Sequence, residues 1–218
     1  MSRRVLVTGG CGFIGRQTVA PLLDRGFEVC LAGRSPPSAD MAAQVGASGG
    51  RLSHHIVDLL DHDAASALVA RTSPTHLLHL AWDTRHGIFW TSAENDRWVD
   101  ASSRLLEAFV ECGGTRCVAA GTCVEYAPAD SPLAEAKAAV GATTPYGTAK
   151  LAFRAKLVEA ANQHGLSTAW GRVFHLFGPY EQPARLVPAA ITSLLAGRPF
   201  AATAGRQIRD YSSVIDVA

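Results

Sequence analysis

Residues 5–15 have the sequence VLVTGGCGFIG, a short apolar run that leads directly into a glycine-rich turn. Within the turn, Gly9, Gly12 and Gly15 stand three residues apart, and amphipathic sequence follows them. This pattern predicts a strand, a tight turn and the first turn of a helix. Backbone N–H groups at such a helix N-terminus attract phosphate. The stretch therefore predicts a site for the pyrophosphate of a dinucleotide, and an ordinary strand-to-helix turn is the alternative.

The rest of the chain continues this alternation of short apolar runs and longer amphipathic stretches. The predicted strands cover residues 5–7, 28–32, 52–57, 76–81, 117–120 and 168–174. Strands that alternate with helices are typical of α/β proteins, in which helices cover both faces of a parallel sheet. We therefore expect a Rossmann-type doubly wound parallel sheet that binds its ligands at the carboxyl ends of the strands.

The length of the chain is that of one full domain and part of a second. It has 218 residues, of which 48% are hydrophobic and 18% are charged, so a sizeable core can be buried. After the sixth predicted strand, prolines interrupt polar sequence and a single helical stretch follows, Val187–Ala196. We expect a dinucleotide-binding domain with the catalytic residues over residues 1–178. Residues 179–218 are expected to begin a small, incomplete C-terminal substrate lobe.

Charge and cysteine content argue against several classes of partner. The net charge is +1 and the basic residues do not cluster, so nucleic-acid binding is not expected. The longest uncharged apolar-rich stretch, Leu186–Gly197, is too short to span a bilayer, so no membrane association is expected. The five cysteines form no CxxC pair, which argues against a disulfide framework or a zinc site. We therefore expect a cytoplasmic protein without a bound metal.

The end of the second predicted strand indicates which dinucleotide binds. An acidic residue there would bind the ribose 2′-hydroxyl of NAD, but residues 31–35 are LAGRS and contain no acid. Arg34 can meet a 2′-phosphate with help from Ser35, which favours NADP over NAD, although Arg34 could also be a solvated loop charge. Asp58, after the third strand, is placed either to touch the adenine or to cap the next helix. Further expected cofactor contacts are Phe13, Ile14, Leu59, Leu80 and Ala81.

A tyrosine and a lysine are spaced for acid–base chemistry. Tyr146 and Lys150 stand four residues apart in a predicted helix, which places both side chains on one face. A tyrosine with its usual pKa of about 10 is a poor acid or base at neutral pH. A neighbouring cation lowers that pKa, which Lys150 can do while it binds the cofactor ribose. The alternative is a surface Tyr–Lys pair.

A threonine is expected to share this site. Thr122 follows the fifth predicted strand, so it stands at the edge of the sheet where ligands are expected. Its hydroxyl can bond a substrate oxygen and pass a proton to or from Tyr146. The alternative for Thr122 is a local turn hydrogen bond.

Aromatic residues follow the fourth predicted strand and border the expected site. Trp82 and Trp90 stand near His86 in sequence, and either indole could stack on a sugar or a base. For Trp98 we expect packing in the core.

Three segments taken together, residues 8–15, 121–126 and 146–150, resemble the extended short-chain dehydrogenases/reductases in order and spacing. Within these, the chain is similar to the NAD(P)-dependent epimerase/dehydratase group, which acts on nucleotide sugars. Residues 172–179 (RVFHLFGP) and 209–218 (RDYSSVIDVA) resemble two further segments of that group. The resemblance therefore runs through the whole chain.

The resemblance also implies binding residues and a partner. Arg209 would bind the diphosphate of a nucleotide-sugar substrate, and Arg185 is a second candidate in the same lobe. The helices predicted over Ser92–Cys112 and Pro145–His164 would form the four-helix interface of a homodimer. Family members usually continue for about another hundred residues beyond the segment that ends here at Ala218, and so the substrate lobe is expected to be incomplete.

One departure from the family pattern bears on the reaction. Members that dehydrate nucleotide sugars have an Asp–Glu pair directly after the catalytic threonine, where this chain has Cys123 and Val124. The acid and base for eliminating water are missing, and Glu125 is expected to point elsewhere. The expected function is NADPH-dependent reduction of a keto group on a nucleotide-linked 4-keto-6-deoxy sugar. The alternatives are an epimerase with tightly bound NAD and a regulatory protein that binds NADP without turnover.

Overall fold

The computed structural model describes residues 3–129 and 131–218. The strands are β1 (Arg4–Thr8), β2 (Glu28–Gly33), β3 (Leu52–Ile56), β4 (His76–His79), β5 (Arg116–Thr122), β6 (Ser167–Val173), β7 (His175–Phe177) and β8 (Tyr211–Ser213). The helices are α1 (Gly15–Asp24), α2 (Ala39–Ala47), α3 (His62–Thr72), α4 (Glu94–Glu111), α5 (Pro145–His164), α6 (Leu186–Leu195) and α7 (Val214–Val217). A 3₁₀ turn spans Cys123–Glu125. Met1, Ser2 and Asp130, which fall within the predicted first domain, lie outside the described residues.

Six strands form one parallel sheet in the order β3-β2-β1-β4-β5-β6. The chain builds the sheet outward from β1 to β3 and then crosses to β4, from which it builds outward in the opposite direction. This order confirms the expected Rossmann-type doubly wound sheet. The reversal between β1 and β4 opens a crevice at the carboxyl ends of these two strands, which is where such sheets bind their ligands.

Two hydrophobic cores cover the two faces of the sheet. Alternate residues of a strand point to opposite faces, and accordingly Leu6 of β1 belongs to one core while Val5 and Val7 belong to the other. The Leu6 core is closed by α3, α4 and α5, whereas the second core includes Val19 of α1 and Met41 of α2. The homodimer expected through α4 and α5 stays a prediction.

The two strands that follow β6 in the sequence form a second, smaller sheet. In it, β7 pairs in parallel with β8, so His175 stands opposite Tyr211. The predicted boundary between residues 178 and 179 passes between these two strands. Residues on both sides of it are therefore joined by backbone hydrogen bonds, and the division into domains stays a prediction.

Helix α6 is apolar but lies at the surface. Its residues Leu194 and Leu195 are 68% and 84% exposed. Within residues 3–129 and 131–218, no helix is both long and apolar enough to cross a membrane.

Candidate active site

A cleft of about 460 Å³ lies where β1, β4 and β5 end. Its floor is the glycine-rich loop, and one wall is the first turns of α5. The predicted residues that line it are Gly9, Gly12, Phe13, Ile14, Gly15, Leu80, Ala81, Thr122, Tyr146, Lys150 and Arg185. The fold thus brings the predicted cofactor loop and the predicted catalytic residues to one site.

The glycine loop is lined by backbone at points where a side chain would not fit. Gly9 has a φ of +69°, and a Cβ on it would lie 3.0 Å from the amide nitrogen of Ala81. A Cβ on Gly15 would overlap the carbonyl oxygen of Gly9, which itself accepts a hydrogen bond from the amide of Gly12 at 2.9 Å. Helix α1 begins at Gly15, which lines the cleft, so the positive end of the helix dipole lies there even though the amides of Arg16 and Gln17 donate to the carbonyl oxygens of Gly12 and Ile14. The loop therefore fits the pyrophosphate of a dinucleotide.

Gly15→Ala is expected to disrupt this loop. The new methyl group would collide with backbone at Gly9, and overpacking of this kind typically costs about 1–3 kcal/mol. We expect a lower midpoint of thermal unfolding and weaker binding of NADH, measured by fluorescence titration. Gly46→Ala in α2 is the matched control, because a Cβ there meets open space and Ala is the better helix former. Equal NADH affinity for Gly15→Ala and the wild-type chain would contradict a role of this loop in binding.

Tyr146 and Lys150 lie in the first turns of α5, and both are buried. The helix begins sharply because Pro145 occupies its first turn and the Thr144 hydroxyl accepts a hydrogen bond from the amide of Gly147 at 3.1 Å. The Lys150 Nζ donates to the carbonyl oxygen of Ala120 at 2.9 Å, near the end of β5. Only 7% of Tyr146 and 3% of Lys150 are exposed, so the two do not form the surface pair that was the alternative.

Thr122 ends β5 and opens the 3₁₀ turn. Its amide donates to the Glu125 carboxylate at 2.8 Å, and its hydroxyl accepts from the amide of Val124 at 3.5 Å. The local turn hydrogen bond therefore exists, and the Thr122 side chain also acts to lower the pKa of Tyr146, which lines the same cleft. The Thr122 side chain therefore takes part both in the 3₁₀ turn and in the cleft.

Glu125 is fully buried and turned toward β6, away from the cleft. Its carboxylate accepts from the Arg172 Nε at 2.7 Å and from the Trp170 indole N–H at 3.0 Å. The Arg172 guanidinium in turn donates to the Tyr126 hydroxyl at 3.2 Å. Sequence reasoning missed this network. One signal was present, because Thr-x-x-Glu over residues 122–125 is the capping-box pattern.

The charge states of Tyr146 and Lys150 differ from the sequence-based expectation. Burial raises the pKa of Tyr146 to about 12, and this outweighs the lowering by the Thr122 hydrogen bond. Burial also lowers the pKa of Lys150 to about 7, against the opposing influence of the Glu125 carboxylate. The expected lowering of the Tyr146 pKa is therefore wrong, because burial outweighs the groups that favour the phenolate.

Several predicted contacts lie outside the residues that line the cleft. Arg34, Ser35 and Arg209 are exposed, and Leu59 is packed in the core. The pKa of the cleft residue His175 is lowered mainly by burial and secondly by the positive charge of Arg209. The charge of Arg209 therefore acts on a residue of the cleft. The contacts assigned to all four residues stay predictions.

Asp58 is exposed and takes part in a turn. Its carboxylate accepts from the amide of Leu60 at 3.0 Å. Asp61 caps α3 instead, accepting from the amide of Ala64, so the capping alternative for Asp58 is wrong. Its predicted contact with adenine stays untested.

Aromatic rings from the segment after β4 surround Tyr146. The Phe89 ring lies 4.8 Å from the Tyr146 ring and the Trp90 ring 5.8 Å from it, both edge-to-face. Trp82 and Trp90 line the cleft, as their position in the sequence suggested, whereas Phe89 was missed because its neighbours give no periodic pattern. Trp98 is 4% exposed and packs in the core.

Comparison with known proteins gives consistent matches along the chain. The model of the NAD dependent epimerase/dehydratase family matches residues 5–218. UDP-glucose 4-epimerase 2 of Arabidopsis thaliana is 28% identical over 251 residues, which cover 100% of this chain and 70% of the relative. UDP-glucose 4-epimerase of Bacillus subtilis is 29% identical over 243 residues, covering 98% and 70%. The crystal structure of the Thermus thermophilus UDP-glucose 4-epimerase in complex with NAD superposes with a TM-score of 0.76 at 27% identity, covering 98% and 71%.

Proposed function

The chain belongs to the NAD dependent epimerase/dehydratase family, and from this we propose that it is a nucleotide-sugar epimerase that works with bound NAD. The observation that carries the proposal is the buried Tyr146–Lys150 pair beside Thr122, in the same cleft as the glycine loop. The relatives are named as UDP-glucose 4-epimerases. They favour the epimerase, which the sequence left as an alternative, over the reductase that it favoured.

Different residues of the cleft would bind different parts of the cofactor. The glycine loop would hold the pyrophosphate with backbone N–H groups other than those of Gly9 and Gly12, which donate to the carbonyl oxygens of Ala32 and Gly9. Lys150 would bond the ribose next to the nicotinamide. The bound nicotinamide would supply reversible hydride acceptance. The relative that was solved in complex with NAD supports NAD over the NADP that Arg34 suggested.

Tyr146 would exchange a proton with an oxygen of the sugar. With a pKa raised to about 12 by burial, its phenol is protonated at neutral pH, which suits donation to a ketone oxygen. Taking a proton from a hydroxyl needs positive charge beside the ring, which the ammonium form of Lys150 provides. Thr122 would orient the same sugar oxygen by a hydrogen bond. The surrounding rings of Phe89 and Trp90 would keep water from the reacting carbon.

Two arginines would bind the nucleotide end of the substrate. Arg185 lines the cleft at the start of α6, and the charge of Arg209 reaches His175 in the same cleft. Guanidinium groups bind diphosphates through charge-assisted, often paired hydrogen bonds. We therefore assign the diphosphate of a nucleotide sugar to this end of the cleft.

The structure of the 3₁₀ turn argues against a dehydratase. Cys123 lines the cleft, and Val124 beside it has no acidic group. The carboxylate of Glu125 is engaged by Arg172 and Trp170 at the far side of the turn. Eliminating water from the sugar needs a positioned acid and base, and these three residues do not supply them at the cleft.

The proposal is tested by incubating the purified chain with UDP-galactose and with UDP-N-acetylgalactosamine. Formation of the 4-epimer, followed by the anomeric proton signals in NMR without net change in NADH, supports it. NAD released from the acid-denatured protein would support a tightly held cofactor. Oxidation of NADPH with a 4-keto-6-deoxy sugar, and no epimer, would replace the epimerase by the reductase. Bound dinucleotide with neither reaction would favour the regulatory protein.

The substitution Arg34→Ala tests whether Arg34 contacts the 2′-phosphate that distinguishes NADPH from NADH. We expect it to weaken NADPH binding by about tenfold or more, the value of a hydrogen bond to a charged group, while NADH affinity stays within about twofold. Fluorescence titration of each dinucleotide measures both affinities. Arg104→Ala, an exposed position on α4, is the control for the loss of one positive charge. Equal weakening of NADH and NADPH would show that Arg34 does not meet a 2′-phosphate.

A further inference from the structure

Trp82 is a cleft residue to which the proposed function gives no role. It is 8% exposed and lines the cleft just beyond β4. The Nζ of Lys150 lies over its ring, 3.9 Å from the ring centroid. The same Nζ donates to the carbonyl oxygen of Ala120 at 2.9 Å. The amine is therefore held between a carbonyl oxygen and an aromatic face, both of which favour a cation.

The Trp82 ring is itself held in place. Its indole N–H donates to the Asn95 side-chain oxygen at 2.9 Å. The Asn95 side-chain NH₂ donates to the carbonyl oxygens of Phe89 and Ser92 at 2.8 and 2.9 Å. Trp98 stacks on Trp82 with ring centroids 6.0 Å apart. A ring bonded at one edge and stacked on a neighbour presents a fixed face to Lys150, which a residue that only fills space would not need.

The other groups around Lys150 act on its ammonium in different ways. Glu125, on the 3₁₀ turn, favours the charged form, but its carboxylate is already paired with Arg172. Tyr146 on α5 presents its ring with the centroid 5.9 Å from Nζ. His79 on β4 carries no opposing charge, because burial lowers its pKa to about 3. The aromatic face of Trp82 thus adds to the attraction that the Ala120 carbonyl and the Glu125 carboxylate give the buried cation.

We propose that Trp82 is a positioning residue whose fixed indole face holds the ammonium of Lys150 at the Ala120 carbonyl and favours its charged form. The inference rests on the proposed function, because that function gives Lys150 its tasks of bonding the ribose and supplying positive charge beside Tyr146. Trp82 touches neither reacting atoms nor cofactor in this assignment and acts through Lys150. Its conservative replacement is expected to be Phe, which keeps an aromatic face.

Fluorinated tryptophan tests the contact without changing the shape of the protein. Fluorine withdraws charge from the face of the ring and weakens its attraction for a cation. The sequence has three lysines, Lys137, Lys150 and Lys156, so lysine labelled with ¹³C at Cε gives three NMR signals. Lys137→Arg and Lys156→Arg assign them. Titrating each signal with pH measures the pKa of every lysine, and neither sugar nor cofactor is required.

We expect the pKa of Lys150, about 7 because of burial, to fall stepwise with the number of fluorines. The fall should reach about one unit, the size of a desolvated cation–π contact expressed as a pKa change. Lys137 and Lys156 are exposed and should not respond. In a Trp82→Phe chain, fluorotryptophan should leave Lys150 unchanged as well. A Lys150 pKa that ignores fluorination in the wild-type chain, or that still responds in Trp82→Phe, would overturn the proposal.

Cofactor affinity gives a second readout. We expect Trp82→Leu to bind NADH about tenfold more weakly and Trp82→Phe to recover most of that loss, in line with the worth of a cation–π contact. Phe109→Leu, a buried core position on α4, controls for loss of packing. Equal weakening in Trp82→Leu and Phe109→Leu would mean that Trp82 only fills the core. The lysine titration does not depend on turnover, so it stands even if no nucleotide sugar is epimerised.

Discussion

Tyr146→Phe is expected to lower turnover of a nucleotide sugar by about 10²–10⁴-fold, the usual worth of a positioned acid or base. The substitution removes the hydroxyl that exchanges a proton with the sugar oxygen. It keeps the ring, so the contacts with Phe89 and Trp90 remain. NADH affinity should therefore stay close to that of the wild-type chain. Epimer formation by NMR and fluorescence titration with NADH measure the two properties on the same preparation.

Tyr180→Phe is the matched control for this change. Tyr180 is 61% exposed, and its hydroxyl donates to the Asp40 carboxylate at 3.2 Å rather than to a cleft residue. It should epimerise at the wild-type rate. If Tyr146→Phe also turned over normally, the proton would have to come from another group, and the role assigned to Tyr146 would be wrong.

Arg172→Met is expected to destabilise the fold by about 3–5 kcal/mol, because it leaves a buried carboxylate without its partner. Glu125 is 0% exposed and pairs with the Arg172 Nε at 2.7 Å, and the side chain of Arg172 is 11% exposed. Removing the guanidinium leaves the carboxylate with the Trp170 indole N–H and the Thr122 amide. The free energy of unfolding, measured by urea denaturation, should fall by this amount.

A double replacement distinguishes the lost pair from lost packing. In Glu125→Leu with Arg172→Met, no buried charge is left unpaired, and most of the stability should return, as it does when buried ion pairs are replaced by apolar residues. Lys156→Met, in the exposed pair with Glu159, should change stability by about 1 kcal/mol or less. If the double variant were as unstable as Arg172→Met alone, the cost would lie in packing. The Thr122 turn also loses its cap in the double variant, so turnover should still fall.

The glycine loop and the order of strands and helices could be predicted because both depend on residues that are close together in the sequence. Gly9, Gly12 and Gly15 are spaced for a turn whatever the rest of the chain does. Alternating apolar and amphipathic runs predict a parallel sheet, since parallel strands need a crossover between them. The family resemblance drawn from three short segments is confirmed by the family match over residues 5–218.

The sequence also allowed the prediction that Thr122, Tyr146 and Lys150 lie at one site. Thr122 ends a strand, and the other two share one face of a helix, so the topology brings them to one edge of the sheet. Their placement in one cleft follows from that topology. What the spacing could not supply is how deeply the pair is buried, and the expected direction of the Tyr146 pKa was wrong for this reason.

The sequence by itself determined the doubly wound sheet, the phosphate loop and the identity of the candidate acid–base residues, because these depend on patterns within a few turns of chain. Only the tertiary structure decided the charge states of these acid–base residues and the contacts that hold them in place. The Glu125–Arg172 pair joins residues on different elements, and so does the contact of Lys150 with Trp82. The free energy of charging a buried group depends on every dipole, charge and ring packed around it. That surrounding exists only once the chain has folded.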